Sequence, residues 1–318
     1  VKVLLLRQAN KKNFAKKRLL DSLGHDVYEQ LAIKLAAGDR CESWFEGSAA
    51  SYMNEEHNFV RRWVPKFNVK CDFRPDVIIA RGGYREYAPL LVRYKRSFRV
   101  SYGAGASIVP QYPARCSDLV LVDTPKQRTR LKRYCGNKVR LWAKPASEVV
   151  FFPFRGAVEK DIDLLYVSNL RDGVRNKGHE ILFPIIADDI RFVHVGRTTG
   201  KIGRKYPHIN SVGHISPKEL NKWYARSKAA VTVSTPTCSC DCVIPETLAC
   251  DCPLLAGDWV PMWHKKFITS CSGMVTNRHD LRQNIELVVG QHKEFRPYKH
   301  YKENMSLDKT VEFLKQGM

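Results

Sequence analysis

The chain has 318 residues, with 53 Lys+Arg against 32 Asp+Glu, a net charge of +21, and 44% hydrophobic residues. That length fills two α/β lobes of roughly 150 residues each, and the apolar content supports a core in each, which excludes a disordered polyelectrolyte. No stretch approaches the roughly 20 consecutive apolar residues of a membrane-spanning helix, so the expectation is a soluble protein, peripheral at most, with no leader ahead of its first strand.

Val1 to Leu6 reads as that strand and Lys11 to Leu23 as a basic helix behind it. Asp76 to Ala80, Phe98 to Tyr102 and Asp118 to Val122 read as further strands, separated by helical stretches such as Ala88 to Arg96. The alternation predicts a parallel, doubly wound sheet whose carboxyl edge hosts ligands. Phe152 to Lys160, interrupted by Pro153 and Gly156, reads as a linker, placing the domains at 1–154 and 155–318.

In the second lobe, Leu164 to Ser168 reads as a strand delivering a polar loop that ends in Lys177-Gly178 just before a helix. That arrangement suits cations and backbone N–H groups around a pyrophosphate. Phe192 to Gly196 is the next strand with a terminal glycine. Ser216-Pro217-Lys218-Glu219 is a capping box with Pro at the first helical position. Ala229 to Val233 follows as a buried strand, Pro245 to Cys250 as the first turns of a helix, and Pro253 to Ala256 as another strand. Ser306 to Met318 reads as a capped final helix.

The ordered set of these pieces resembles group 1 retaining glycosyltransferases of the GT-B fold. It rests on Gly213-His214-Ile215-Ser216, on Glu219-Leu220 with Tyr224, and on Glu246-Thr247-Leu248-Ala249-Cys250-Asp251-Cys252-Pro253. With the upstream Lys177-Gly178 it covers most of residues 160 to 260. The resemblance implies two Rossmann-like doubly wound parallel-sheet domains facing a central cleft. The second would bind a nucleotide-sugar, a UDP-sugar, with no metal required, and the final helix would pack back on the first. It also implies that Arg171 and Lys177 hold the donor phosphates, that Glu246 accepts hydrogen bonds from the ribose, and that Gly178, Gly196, His214, Ile215 and Thr247 complete the donor site. The family's first Glu falls on Cys238 and its Gly-Phe-Gly on Ser239-Cys240-Asp241. Cys238 cannot accept hydrogen bonds as a carboxylate does, and residues larger than Gly restrict backbone approach. Asp241 either supplies a displaced carboxylate or is merely solvated.

The first lobe offers a looser site. Arg81-Gly82-Gly83-Tyr84-Arg85-Glu86 follows a strand: glycines allow close approach, Arg offers forked donors, and Glu86 is a candidate base. A family His falls on Tyr102, ahead of Gly103. With an ordinary pKa of about 10, Tyr102 is a poor base but can orient a sugar hydroxyl or stack on a ring. The same glycines equally fit a tight strand-to-helix turn.

Charge points to the acceptor. Residues 1–154 hold 29 Lys+Arg against 14 Asp+Glu, and 155–318 hold 24 against 18. The excess lies in three groups: Lys11, Lys12, Lys16, Lys17 and Arg18; Arg93, Lys95, Arg96 and Arg99; and Lys126, Arg128, Arg130, Lys132 and Arg133. In GT-B enzymes the first lobe faces the acceptor, so the resemblance together with this charge implies a polyanionic acceptor, with DNA preferred, as in viral enzymes that glycosylate modified bases, and Tyr84 available for stacking. A glycan or lipid acceptor on an anionic membrane remains the alternative, and a catalytically silent nucleic-acid- or nucleotide-sugar-binding relative is a third. Of the ten cysteines, Cys238, Cys240 and Cys242 lack the two-residue gaps of zinc knuckles. Reduced thiols are expected, hence a reducing compartment, the cytoplasm (a host's if viral), although a disulfide stays open.

Overall fold

The computed structural model describes residues 1–7, 26–46, 52–55, 58–64, 67, 70–82, 85–103, 111–154, 156–170, 177–235, 242–260 and 263–318. Strand β1 (Val3–Arg7) shows how the first sheet is covered. Val3 and Leu5 lie in a core cluster with Tyr28, Leu31 and Leu35 of helix α1 (Val27–Ala36), whereas Leu4 and Leu6 lie in a second cluster with Leu90 and Leu91 of α2 (Ala88–Arg93). Side chains alternate across a strand, so an unbroken apolar run requires cover on both faces.

The sheet runs β3 (Tyr52–Asn54), β4 (Phe59–Val64), β2 (Cys41–Glu46), β1, β5 (Val77–Arg81), β6 (Phe98–Gly103), β7 (Leu119–Val122), β8 (Val139–Leu141). All neighbours are parallel except β3 on β4. Helices α3 (Gln111–Arg115) and α4 (Pro125–Cys135) also belong to this part. Strands β2 to β4 are not among the predicted elements, because their apolar pattern is broken by charges that the fold pairs. Glu42 is fully buried, accepting from Arg40 Nη2 at 2.6 Å and Trp44 Nε1 at 2.6 Å. Arg61 is buried on Glu29, with bonds of 3.1 and 2.6 Å. The predicted basic helix of residues 11–23 lies outside the described residues.

The second sheet is wholly parallel, in the order β10 (Phe192–Val195), β9 (Ile162–Val167), β11 (Ser227–Thr232), β12 (Leu254–Gly257), β13 (Gly273–Thr276). Its helices are α5 (His179–Leu182), α6 (Gly200–Lys205), α7 (Pro217–Arg226), α8 (Val243–Ala249), α9 (Leu281–Gly290) and α10 (Pro297–Asn304). Leu164, Tyr166, Ala229, Val231 and Leu255 pack with Leu281, Ile285 and Val288 of α9. The capping box at α7 is formed as read: Glu219 N donates to Ser216 Oγ at 3.2 Å and Ser216 N to Glu219 Oε2 at 2.8 Å.

The chain divides into two compact units, Val1–Ala143 with Leu307–Met318, and Lys144–Ser306. The last helix, α11 (Leu307–Lys315), therefore belongs to the first unit, where Leu307, Val311 and Leu314 join the cluster of Val3, Leu5 and Tyr28. No described helix is long and apolar enough to cross a membrane.

Candidate functional site

The carboxyl edge of the second sheet is built on two glycines that tolerate no side chain. Gly178 has φ +75°, and a Cβ there would sit 2.0 Å from the carbonyl oxygen of Val233, just past β11. Gly196 has φ +141°, and a Cβ would sit 1.8 Å from the carbonyl oxygen of Ser168, just past β9. Both positions need positive φ and close backbone approach, which only glycine supplies. Gly178 thereby seats the Lys177 turn against the end of β11, and Tyr166 Oη donates to Lys177 O at 2.6 Å.

Buried His194 ties the edge together. Its Nε2 meets Ser168 O at 2.8 Å and its Nδ1 meets Ser211 Oγ at 2.8 Å and Thr198 Oγ1 at 3.2 Å. This pattern assigns the proton to Nε2, and burial holds the ring below the ordinary histidine pKa, so it is a neutral brace. Gly196 N donates to Gly213 O at 2.8 Å, which brings exposed His214 and half-buried Ile215 beside the end of β10.

Glu246 stands in the first turn of α8 and is half-buried. Thr247, its neighbour, is fully buried. Arg171, Cys238, Ser239, Cys240 and Asp241 lie outside the described residues. Cys250 and Cys252 are buried thiols. Desolvation raises both, Cys252 to about 12, and Cys250 Sγ donates to Asn221 Oδ1 at 2.8 Å. Among the described residues, no group of three or more His, Cys, Asp or Glu is placed to hold a metal ion.

In the first unit the carboxyl edge carries two arginines on adjacent strands. Arg7 ends β1 and Arg81 ends β5; Asp26 Oδ2 accepts from Arg7 Nη2 at 2.7 Å and Arg81 Nη1 at 3.3 Å. Asp26 also caps α1, accepting from Tyr28 N at 2.9 Å, and Arg81 lies 4.4 Å over the Tyr28 ring. Sequence reading reached Arg81 but missed Arg7 and Asp26, because nothing local links positions 7, 26 and 81. Gly82 has φ +98° and donates to Tyr102 O at 2.9 Å. Arg85 and Glu86 are exposed in a single 3₁₀ turn; Gly83 and Tyr84 lie outside the described residues.

Tyr102 differs from expectation. It is 1% exposed, its ring packs edge-on to Trp142 with centroids 4.7 Å apart, and its hydroxyl donates to Asp123 Oδ1 at 2.6 Å. A side chain so placed supports the core and presents nothing to a sugar, whereas Gly103 simply ends β6.

The basic groups divide. Arg99 is held bidentate by Asp118 at 2.9 and 2.7 Å, so it belongs to a local ion pair. Helix α4 is different: Lys126, Arg130, Lys132 and Arg133 are exposed, Arg128 is half-buried, and the helix has no acidic residue. Lys126 with Arg130 and Arg128 with Lys132 are like-charge pairs at i,i+4, and the first turn places cations at the positive end of the helix dipole. The capping box of Thr124 and Gln127 and Pro125 offset that cost.

No protein-family model matches the sequence, and no curated protein matches it. Solved structures do match over the whole chain. A glycosyltransferase from Rickettsia africae superposes with TM-score 0.69 at 11% identity, covering 99% of this chain and 97% of that one. Sucrose-phosphate synthase from Thermosynechococcus elongatus gives 0.68 at 13% identity, with coverage of 99% and 97%. Anabaena Alr3699/HepE in complex with UDP gives 0.65 at 12%, with coverage of 99% and 99%. The chain has the GT-B fold. At such identities the likeness fixes the architecture of this GT-B chain and leaves its chemistry to its own residues.

Proposed function

We propose that this chain is a glycosyltransferase that takes a sugar from a nucleotide-sugar donor, a UDP-sugar, held at the carboxyl edge of its second unit. The observation that carries the reading is the pair Gly178 and Gly196, two backbone positions without room for a Cβ beside Lys177 at that edge. These close backbone contacts fix the turn that carries Lys177 at that edge, where Lys177 offsets the charge that grows on the leaving nucleotide diphosphate. Glu246 accepts hydrogen bonds from the ribose hydroxyls, His214 and Ile215 line the edge, and Arg171 adds a second cation. Alr3699/HepE, of the same fold, is also solved in complex with UDP-glucose. Transfer proceeds with retention at the anomeric carbon. The test is Lys177→Ala. Losing a charge-assisted contact of about 1.5 to 3 kcal/mol weakens donor binding or turnover by roughly tenfold to over a hundredfold. Glu246→Gln impairs donor binding with near-native thermal stability. A folded Lys177→Ala protein with unchanged donor affinity and turnover would sink the assignment.

The acceptor is a polyanion, preferentially a modified base in DNA, bound by the first unit. The support is α4, whose like charges weaken the helix and so serve something other than its folding. Arg81, Gly82, Gly83, Tyr84, Arg85 and Gly103 are proposed to contribute to acceptor binding, with Glu86 as the base that accepts the acceptor proton. Replacing Lys126, Arg128 and Arg130 by Glu weakens DNA binding and leaves donor affinity intact. The deciding experiment is competition between duplex DNA and anionic vesicles at matched salt, with mass spectrometry for sugar on each. Sugar found only on lipid or glycan overturns the DNA reading in favour of a membrane acceptor, and binding without turnover favours a silent protein.

A further inference from the structure

A cavity of about 440 Å³ opens at the opposite edge of the second sheet from Lys177 and Glu246. Its walls include Lys160, two residues before β9, Lys228, the second residue of β11, and Pro253, immediately before β12. The strands are parallel, so these positions mark the amino edge. The six-residue strands β9 and β11 separate the two edges by roughly 20 Å.

Four cations, Lys160, Lys228, Lys293 and Arg296, face one carboxylate, Asp251, in the lining. Asp251 Oδ1 already accepts the Tyr298 N–H at 2.9 Å. Lys160 Nζ donates to Ser227 O at 2.8 Å, and Lys228 Nζ lies 2.7 Å from Asp163 Oδ1, which also takes Arg191. These bonds fix two ammonium groups while leaving each with donors to spare, since an ammonium carries three. Arg296 Nη1 donates to the carbonyls of Lys293 and Phe295 at 2.6 and 2.7 Å, which anchors the guanidinium. Among the described residues Lys293 Nζ has no hydrogen-bond or ion-pair partner. Like charges gathered around one concavity repel unless an anion lies between them.

Apart from His292, whose Nδ1 lies 2.9 Å from Val289 O, the rest of the lining is mostly apolar and includes Phe154, 38% exposed, and Phe295, 8% exposed. The volume falls in the range of small-molecule sites, roughly 300–1,000 Å³. We propose that this cavity is an effector site for a nucleoside phosphate, whose phosphate meets the cations and whose planar base meets Phe154. It is independent of the donor reading, and both edges of the sheet can be occupied together.

Isothermal titration with AMP and with inorganic pyrophosphate tests this in the full chain, using Lys177→Ala as background to disable the carboxyl edge. Both probes bind at one site per chain. Lys293→Glu weakens both at least tenfold, and Phe154→Ala weakens AMP severalfold while leaving pyrophosphate unchanged. Both substituted side chains are exposed, so these variants fold. Absence of binding by either probe, or affinities unaffected by Lys293→Glu, overturns the site. Phe154→Ala acting on neither probe, or on both alike, overturns its assignment to a nucleoside.

Discussion

Gly178→Ala is the sharpest perturbation of the donor edge, because the structure supplies its own controls. The new Cβ would lie 2.0 Å from Val233 O and 2.7 Å from Val233 C, both backbone atoms, at φ +75°. Ordinary contact begins near 3.4 Å, so the end of β11 or the Lys177 turn must shift by more than an ångström. A left-handed backbone costs a non-glycine residue roughly 1–2 kcal/mol, and overpacking adds about 1–3 kcal/mol. The expected loss is about 2–5 kcal/mol. Gly136→Ala bears only the conformational part, since nothing lies within 4 Å of its Cβ; at φ +64° and ψ −144°, a region essentially reserved for glycine, its expected loss is roughly 1–3 kcal/mol. Gly273→Ala suffers an equal clash, 2.0 Å from Leu254 O, where β13 begins beside β12. Urea unfolding followed by far-UV circular dichroism reads stability, and titration with a UDP-sugar on the folded protein reads the site. Gly178→Ala should lose donor affinity at least tenfold, while Gly273→Ala loses stability and keeps its affinity. Gly178→Ala no less stable than Gly136→Ala, with donor binding intact, would refute the account of this edge.

Asp163 gives a pH test. Burial alone would raise its pKa, but hydrogen bonds from Arg191 and Lys228 outweigh it and hold the carboxyl at about 2. A depressed carboxylate stabilises the fold fully above its unfolded value near 3.8, and that contribution is lost as pH falls toward 2. Asp163→Asn should cost about 1–2 kcal/mol at neutral pH and flatten the stability profile between pH 4 and 2, as read by urea titrations. Ser216→Ala removes the cap of α7 and should cost about 1 kcal/mol without altering donor affinity. Leu314→Ala, at a site 1% exposed, should cost about 2–5 kcal/mol in the unfolding of the first unit.

Signals carried within a few residues were legible in the chain. The capping box at Ser216 and Glu219 and the apolar runs of β1, β5, β7, β9 and β11 act through neighbours along the backbone. Their order was enough to suggest the two-sheet architecture that the superpositions bear out. The excess of positive charge in the first half is likewise a property of composition alone.

Tertiary structure decided what depends on residues far apart in sequence. Strands β2 and β4 became strands because Glu42 and Arg61 found partners that make their burial tolerable, Arg61 reaching Glu29 across 32 positions. Tyr102 left the candidate site because Trp142 and Asp123 enclose it, and Arg99 left the basic surface because Asp118 holds it. Asp26 joins Arg7 to Arg81 across 55 positions on its longer side. A glycine's identity announces that a turn is permitted; that Gly178 must remain glycine is dictated by the carbonyl of Val233, 55 residues onward and less than a bond length and a half from where a methyl would stand. Such facts are set by which surfaces meet on folding, and they are invisible to any pattern that extends only a few residues along the chain.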